Sequence, residues 1–227
     1  MTHMYKDTET WNPFKGCRFD CIYCDGSFKR QAKRQKHNCI SCYNYEPHFH
    51  PERLNKIPKA VLVFACGNGD ISFADMEQKG AILRAMQLKP KQTFLLQTKN
   101  PSCLDSWRIP SNVIVGTTLE TNRETSNISK APRPQLRYIC LKELICRKSV
   151  TIEPILDFDL ETLKDWIWNI NPEIVWIGYA NHTNGLNLNE PELSKTQKLI
   201  KELESFTDVR LKTIRTKLKV KGYYGNK

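Results

Sequence analysis

Three cysteines fall within eight residues near the start of the chain, in Cys17-Arg18-Phe19-Asp20-Cys21-Ile22-Tyr23-Cys24, a C-x3-C-x2-C triad. At this spacing three thiolates can face one centre only from a loop. Three is one short of closing a tetrahedral zinc site, and one short of ligating every iron of a four-iron cubane. A cubane held this way keeps one iron open to an exogenous ligand, which gives the arrangement catalytic use. A zinc site completed by a distant His or Cys is the competing reading. A second group follows, Cys39-x2-Cys42 with His48 and His50 nearby. Zinc needs four ligands and this set would supply four; an auxiliary cluster is a second metal reading, and unmetallated surface thiols are the reading the residues favour. Cys103, Cys140 and Cys146 are scattered and read as small buried hydrophobes.

Composition narrows the setting. The 227 residues carry 35 Lys+Arg against 24 Asp+Glu, a formal charge of +11, with 40% hydrophobic residues. That is enough for one real core, so the expected organisation is a single domain over 1–227 with a polar, basic Cys/His-containing insertion or substrate-facing extension over 25–58. The longest apolar run, Ala60 to Cys66, is far too short to span a membrane. The N-terminus has no apolar stretch of the kind that directs secretion. Nine cysteines, an odd number crowded near the N-terminus, read as metal or cluster ligation in a reducing cytoplasm rather than as a disulfide framework.

The elements that must position these residues alternate. Apolar runs at 60–66, 93–98, 112–119, 150–156, 174–179 and 209–214 read as strands buried on both faces, with a weaker first strand within Tyr5–Trp11. Segments 75–88, 134–147, 160–170 and 191–206 suit helices. This order argues for βαβ units around a parallel sheet or barrel.

The triad, with aromatic Tyr23 just before its third cysteine, resembles the cluster motif of the radical S-adenosylmethionine (radical SAM) superfamily. The segments TWNPFKGC, HPERL, QTKNP, GTTLETN and IEPIL are similar to those of a small phage and prokaryotic branch distantly similar to spore photoproduct lyase. The resemblance runs from about Thr10 to Tyr179. It implies an α/β fold, a partial (β/α)6 TIM-like barrel of parallel strands with the cluster loop after the first strand. It implies a [4Fe-4S] cluster on Cys17, Cys21 and Cys24. There S-adenosyl-L-methionine is reductively cleaved to a 5′-deoxyadenosyl radical, with electrons from a donor such as flavodoxin or ferredoxin. Carried over residue by residue, Tyr23 packs near the adenine. Asn68 and Asp70, in Cys66-Gly67-Asn68-Gly69-Asp70, meet the methionine amine, although many members have Gly-Gly-Glu there. Lys99 pairs with the methionine carboxylate, and Thr118 and Glu120 end the fourth strand with Glu120 at the ribose. Without that context the Gly-rich segment reads as an ordinary βα turn with a helix cap, and Lys99 as a solvated lysine. Glu153, amid apolar neighbours, is expected to point into a polar lumen. Tyr179, Asn181 and His182 are candidates to face substrate.

Basic residues gather at Lys29–Lys36, at Lys130–Arg137, and from Arg210 to Lys221 with Tyr223 and Tyr224 beyond. Such groups attract polyanions, and neighbouring aromatics stack on bases. A lysine-rich solvated surface is the bland alternative. The favoured substrate is a nucleic-acid base or nucleotide, in DNA or RNA. The rivals are a radical SAM enzyme acting on a small metabolite or peptide, and a non-catalytic zinc-stabilised nucleic-acid-binding module.

Overall fold

The structure is a computed structural model and describes residues 8–181 and 185–214. Its strands are β1 (Thr8–Trp11), β2 (Phe14–Lys15), β3 (His48–Phe49), β4 (Leu62–Ala65), β5 (Thr93–Gln97), β6 (Val113–Thr118), β7 (Arg147–Ile152), β8 (Ile174–Ile177) and β9 (Asp208–Leu211). Seven of them form one curled sheet in the order β1-β4-β5-β6-β7-β8-β9, every neighbouring pair parallel. This is the expected partial barrel; counting the weakly signalled β1, it has seven strands. β2 and β3 pair antiparallel outside it.

The helices are α1 (Arg30–Ala32), α2 (Ile40–Asn44), α3 (Met76–Gln87), α4 (Pro134–Glu143), α5 (Leu160–Ile170) and α6 (Leu193–Leu203). Local chemistry fixes their ends. Asp75 and Gln78 make a reciprocal capping box on α3. Pro134 opens α4, where its missing N–H costs nothing. Asn171 ends α5 in the left-handed conformation. The β5–β6 connection carries only a short turn at Pro101–Leu104 instead of a long helix. β7 starts earlier than its apolar run suggests, at Arg147, and stops at Ile152 before Glu153-Pro154, because proline has no N–H to continue the ladder.

The two sheet faces differ. Val63, Ala65, Phe94, Leu96, Val113, Val115, Val150 and Ile152 pack into the main core with the helices. Phe64, Leu95 and Ile114, at the alternate positions, make a small separate cluster on the concave face. Toward the C-terminal strand ends that face turns polar, with Gln97, Thr118 and Thr151 joined by hydrogen bonds of 2.8 and 3.3 Å. Because all seven strands are parallel, their C-terminal ends share one rim.

Candidate functional site

The cysteine triad leaves that rim between β1 and the 25–58 insertion. Gly16, with φ +85°, sits immediately before it; a Cβ there would lie 1.9 Å from the Glu46 carbonyl oxygen. Gly69 bridges Gly16, and a Cβ on Gly69 would lie 2.7 Å from the Gly16 nitrogen. Two glycines therefore let three backbones meet under the loop. A Gly16→Ala substitution is expected to cost about 2 kcal/mol or more, from the left-handed backbone plus the clash. Thermal unfolding measures this, and a variant within about 0.5 kcal/mol of the parent would refute it.

Asp20, at φ 52°, turns the chain between the first two cysteines. Its carboxylate takes hydrogen bonds from Lys29 (2.6 Å) and Lys130 (2.9 Å), which hold its pKa down to about 2. The loop is also clipped to the segment after β6. Ile22 N–H bonds the Ile128 carbonyl at 3.0 Å, Lys130 N–H bonds the Phe19 carbonyl at 2.7 Å, and Cys21 Sγ lies 3.0 Å from Ser129 Oγ. Cys21 and Cys24 share a thiol hydrogen bond that draws Cys21 down to about 5, while burial pushes Cys17 up to about 12. All three cysteines are free thiols.

Beside them lies a buried ionic network from four separate elements. Glu120 is 1% exposed. One carboxylate oxygen meets both the Tyr23 hydroxyl and the Lys99 ammonium. The other accepts from Arg137 Nη1 at 2.8 Å. Burial pushes the Glu120 pKa upward, but Arg137 and Lys99 more than offset it, leaving it well below the ordinary carboxylate range. Tyr23, Lys99 and Glu120, assigned to one ligand from three distant positions, are thus brought together. Arg137 was read only as part of a surface patch; it is fully buried and belongs to this network. Nothing in its local sequence marks it.

The other expected positions divide. Asn68 lines a cavity of ≈ 170 Å³ shared with Lys15, Gly16, Phe28, Gln31, Arg34, Gln35, Cys42 and Tyr45. Asp70 is spent within the protein. Its oxygens accept from Thr98 Oγ1 (2.6 Å), Lys99 N–H (2.8 Å) and Ser72 N–H (3.0 Å), so it fixes the β5 end and caps the turn after the Gly-rich segment. Thr118 faces the lumen and accepts from Gln97 at 2.8 Å. Glu153 is paired as well as lumen-facing: Lys212 sits 2.6 Å away, although burial still leaves the Glu153 pKa raised. Tyr179 is a correction. It lies at the register of Val175 and Ile177, on the helix side, and its hydroxyl bonds Thr196 at 2.7 Å; it packs the core against α6 instead of facing substrate. Asn181 accepts from Thr213, and His182 lies outside the described residues.

Among the described residues, members of two of the basic groups are committed internally. Lys130 pairs with Asp20, Arg133 with Glu124, Arg210 with Asp208 and Lys212 with Glu153. Arg215 to Lys221, Tyr223 and Tyr224 lie outside the described residues. In the first group Arg30, Arg34 and Lys36 are exposed. Cys39, Cys42, His48 and His50 converge, with ligand atoms all within 4.8 Å of one another, and could hold a metal ion.

Three free thiols on one loop lie beside an ammonium and a buried carboxylate at the mouth of a parallel barrel, a donor set with the chemistry to hold a metal cluster. No family model matches the chain, and no curated protein matches it by sequence. Its fold is similar to that of Streptococcus suis SuiB bound to S-adenosylmethionine, with TM-score 0.55 and 12% identity over 91% of this chain and 50% of that one. It is also similar to a spore photoproduct lyase mutant with dinucleoside spore photoproduct, with TM-score 0.60 and 9% identity over 89% of this chain and 76% of that one. SuiB bound to its precursor peptide SuiA gives TM-score 0.54 at 11% identity, covering 91% of this chain and 48% of that one. The chain thus spans about half the length of SuiB. SuiB and spore photoproduct lyase are radical SAM enzymes, and the partial barrel described here is the fold they share.

Proposed function

We propose that this chain is a radical SAM enzyme in which Cys17, Cys21 and Cys24 hold a [4Fe-4S] cluster and the rim binds S-adenosyl-L-methionine. The observation that carries the reading is the convergence of Tyr23, Lys99 and Glu120 beside the three thiols. When bound and reduced, the cluster and cofactor supply a 5′-deoxyadenosyl radical that takes a hydrogen atom from substrate. The chain's own part is positioning. Lys99 would pair with the cofactor carboxylate, and Glu120 would hold the ribose hydroxyls through one oxygen. Arg137 stays on the other oxygen and keeps the carboxylate ionised throughout. Asn68, on the Gly-rich turn, offers its side chain to the methionine amine. The half-buried Gln97–Thr118–Thr151 network holds the lumen polar and shaped. The test is anaerobic reconstitution with iron and sulfide, chemical reduction, and assay for 5′-deoxyadenosine. A protein that holds the cluster yet forms none is not this enzyme.

The substrate we assign is a nucleic-acid base or nucleotide. The cavity by the cysteine loop combines Lys15 and Arg34 with Phe28, Tyr45 and amide side chains, chemistry suited to a phosphate and a stacked base. Exposed Arg30 and Lys36 extend the positive charge. With about four phosphate contacts, affinity for a duplex oligonucleotide should fall about a hundredfold between ~50 and ~200 mM salt. Fluorescence anisotropy reads this. No binding at low salt would turn the assignment to a peptide or small metabolite, the class in which SuiB, bound to its precursor peptide, stands. Among the described residues no helix is long and apolar enough to cross a membrane. A reducing cytoplasm with a flavodoxin- or ferredoxin-type donor is the setting that suits free thiols and a reduced cluster.

A further inference from the structure

We propose that Cys39, Cys42, His48 and His50 hold one zinc ion in a closed structural site that braces the triad-bearing loop. His48 Nε2 lies 3.4 Å from Cys39 Sγ and 3.2 Å from Cys42 Sγ, and His50 Nε2 lies 3.3 Å from Cys42 Sγ. A tetrahedral ion with Zn–S of about 2.3 Å and Zn–N of about 2.0–2.1 Å separates its ligand atoms by about 3.3–3.8 Å. Three of the six ligand-atom pairs stand at 3.2–3.4 Å, close to that spacing, and all four atoms lie within 4.8 Å of one another. A two-iron cluster with two Cys and two His ligands puts the pairs on different irons, a metal–metal distance apart. Here both histidines touch Cys42, so the set fits one ion. Four protein ligands leave no open position, which marks a structural site.

The surroundings are those of ligands. Both histidines aim Nε2 inward and hold Nδ1 on an oxygen, His48 on the Glu46 carbonyl at 2.7 Å and His50 on Glu52 at 3.0 Å. These bonds fix the tautomer with the inward nitrogen unprotonated. The Cys42 N–H donates to Cys39 Sγ at 3.2 Å.

The insertion also needs such a staple. Between residues 25 and 58 only Gly26, Ala32 and Cys42 are buried, so this segment has no apolar core of its own. Its ties run straight to the residues before Cys17. β3, which carries His48, pairs with β2 at Phe14 and Lys15. His50 N–H donates to the Pro13 carbonyl at 2.7 Å, and Cys17 N–H donates to the Tyr45 carbonyl at 3.2 Å. Zinc bound at 39–50 thereby fixes the strand that leads into the triad.

The inference does not depend on the cluster assignment, and its test keeps the two apart. The full-length chain and a Cys17→Ala/Cys21→Ala/Cys24→Ala variant are purified without added metal, and zinc and iron are measured by mass spectrometry. One zinc per chain is expected in both, with an X-ray absorption shell of two sulfur and two nitrogen ligands. In the triple variant, stripping zinc with a chelator should speed amide exchange at position 17, now alanine, and at His50 by about tenfold or more. A triple variant without zinc, or with iron in its place, overturns the site. Zinc removal that leaves exchange at position 17 unchanged overturns the brace. Because the chelator acts on the folded chain, a failure of His48→Ala or Cys42→Ser to fold does not stand in the way of either readout. Iron absent from the parent with zinc retained would sink the cluster reading alone.

Discussion

Anaerobically reconstituted protein carrying Cys21→Ala is expected to emerge colourless, without stoichiometric iron, and to form no 5′-deoxyadenosine under reducing conditions that turn over the parent. Cys21 is the most enclosed of the three thiols, and its sulfur contacts Ser129 while sharing a hydrogen bond with Cys24. Two remaining thiolates cannot hold three irons, so the loss should be complete rather than graded. Cys17→Ala and Cys24→Ala should behave alike, because the three act as one ligand set. Cys140→Ala, in α4 against the turn at Pro101–Leu104, should keep colour and turnover. Iron content and product formation are the measurements; turnover retained in any triad variant would remove the basis of the proposed enzymology.

Arg137→Met is expected to cost about 3–5 kcal/mol, because it leaves a buried carboxylate with one cation where it had two. Arg137 and Glu120 are 0% and 1% exposed, so water cannot take the place of the missing guanidinium. The pH dependence has a definite sign. Glu120 titrates below its ordinary value of 4.5 in the folded chain. Its ion pairing therefore stabilises the fold at neutral pH, and that contribution is lost as the pH falls below 4.5. The gap between parent and variant should be full near pH 7 and shrink in acid. Urea unfolding of the two proteins across that range measures it, and a variant within about 1 kcal/mol at pH 7 would contradict the network's energetic role. A double-mutant cycle with Glu120→Gln measures the coupling between Arg137 and Glu120, the second change also leaving the Lys99 ammonium without its carboxylate.

How much of this was legible varied with the range of the interaction. The helix α5 was placed over Leu160–Ile170 to the residue, and α3 within one residue at each end, because the Asp75 cap and the apolar spacing are local. Tyr179 departs from the sequence expectation although the signal for its true position is local. Counting by two from Val175 and Ile177 puts its side chain on the helix face, where the structure has it. Asp70 was assigned to ligand, yet two backbone N–H groups and the Thr98 hydroxyl occupy it, and two of those partners come from a strand end 28 to 29 residues away. Arg137 had no legible signal. A basic residue in a polar helical segment reads as solvated until the helix is seen to lay it over a buried carboxylate.

The amino-acid sequence by itself determined the supply of candidate ligands, three thiols within eight residues and a second Cys/His quartet within twelve, and the alternation that yields a parallel sheet. Those are matters of residue type and short-range spacing, which the backbone geometry reads directly. Only the tertiary structure decided that Tyr23, Lys99, Glu120 and Arg137 meet, and that the quartet is sewn to the strand before Cys17. Parallel strands deliver all their C-terminal ends to one rim, so residues a hundred positions apart become neighbours. That closure is set by how the whole sheet curls and packs, which no local pattern encodes.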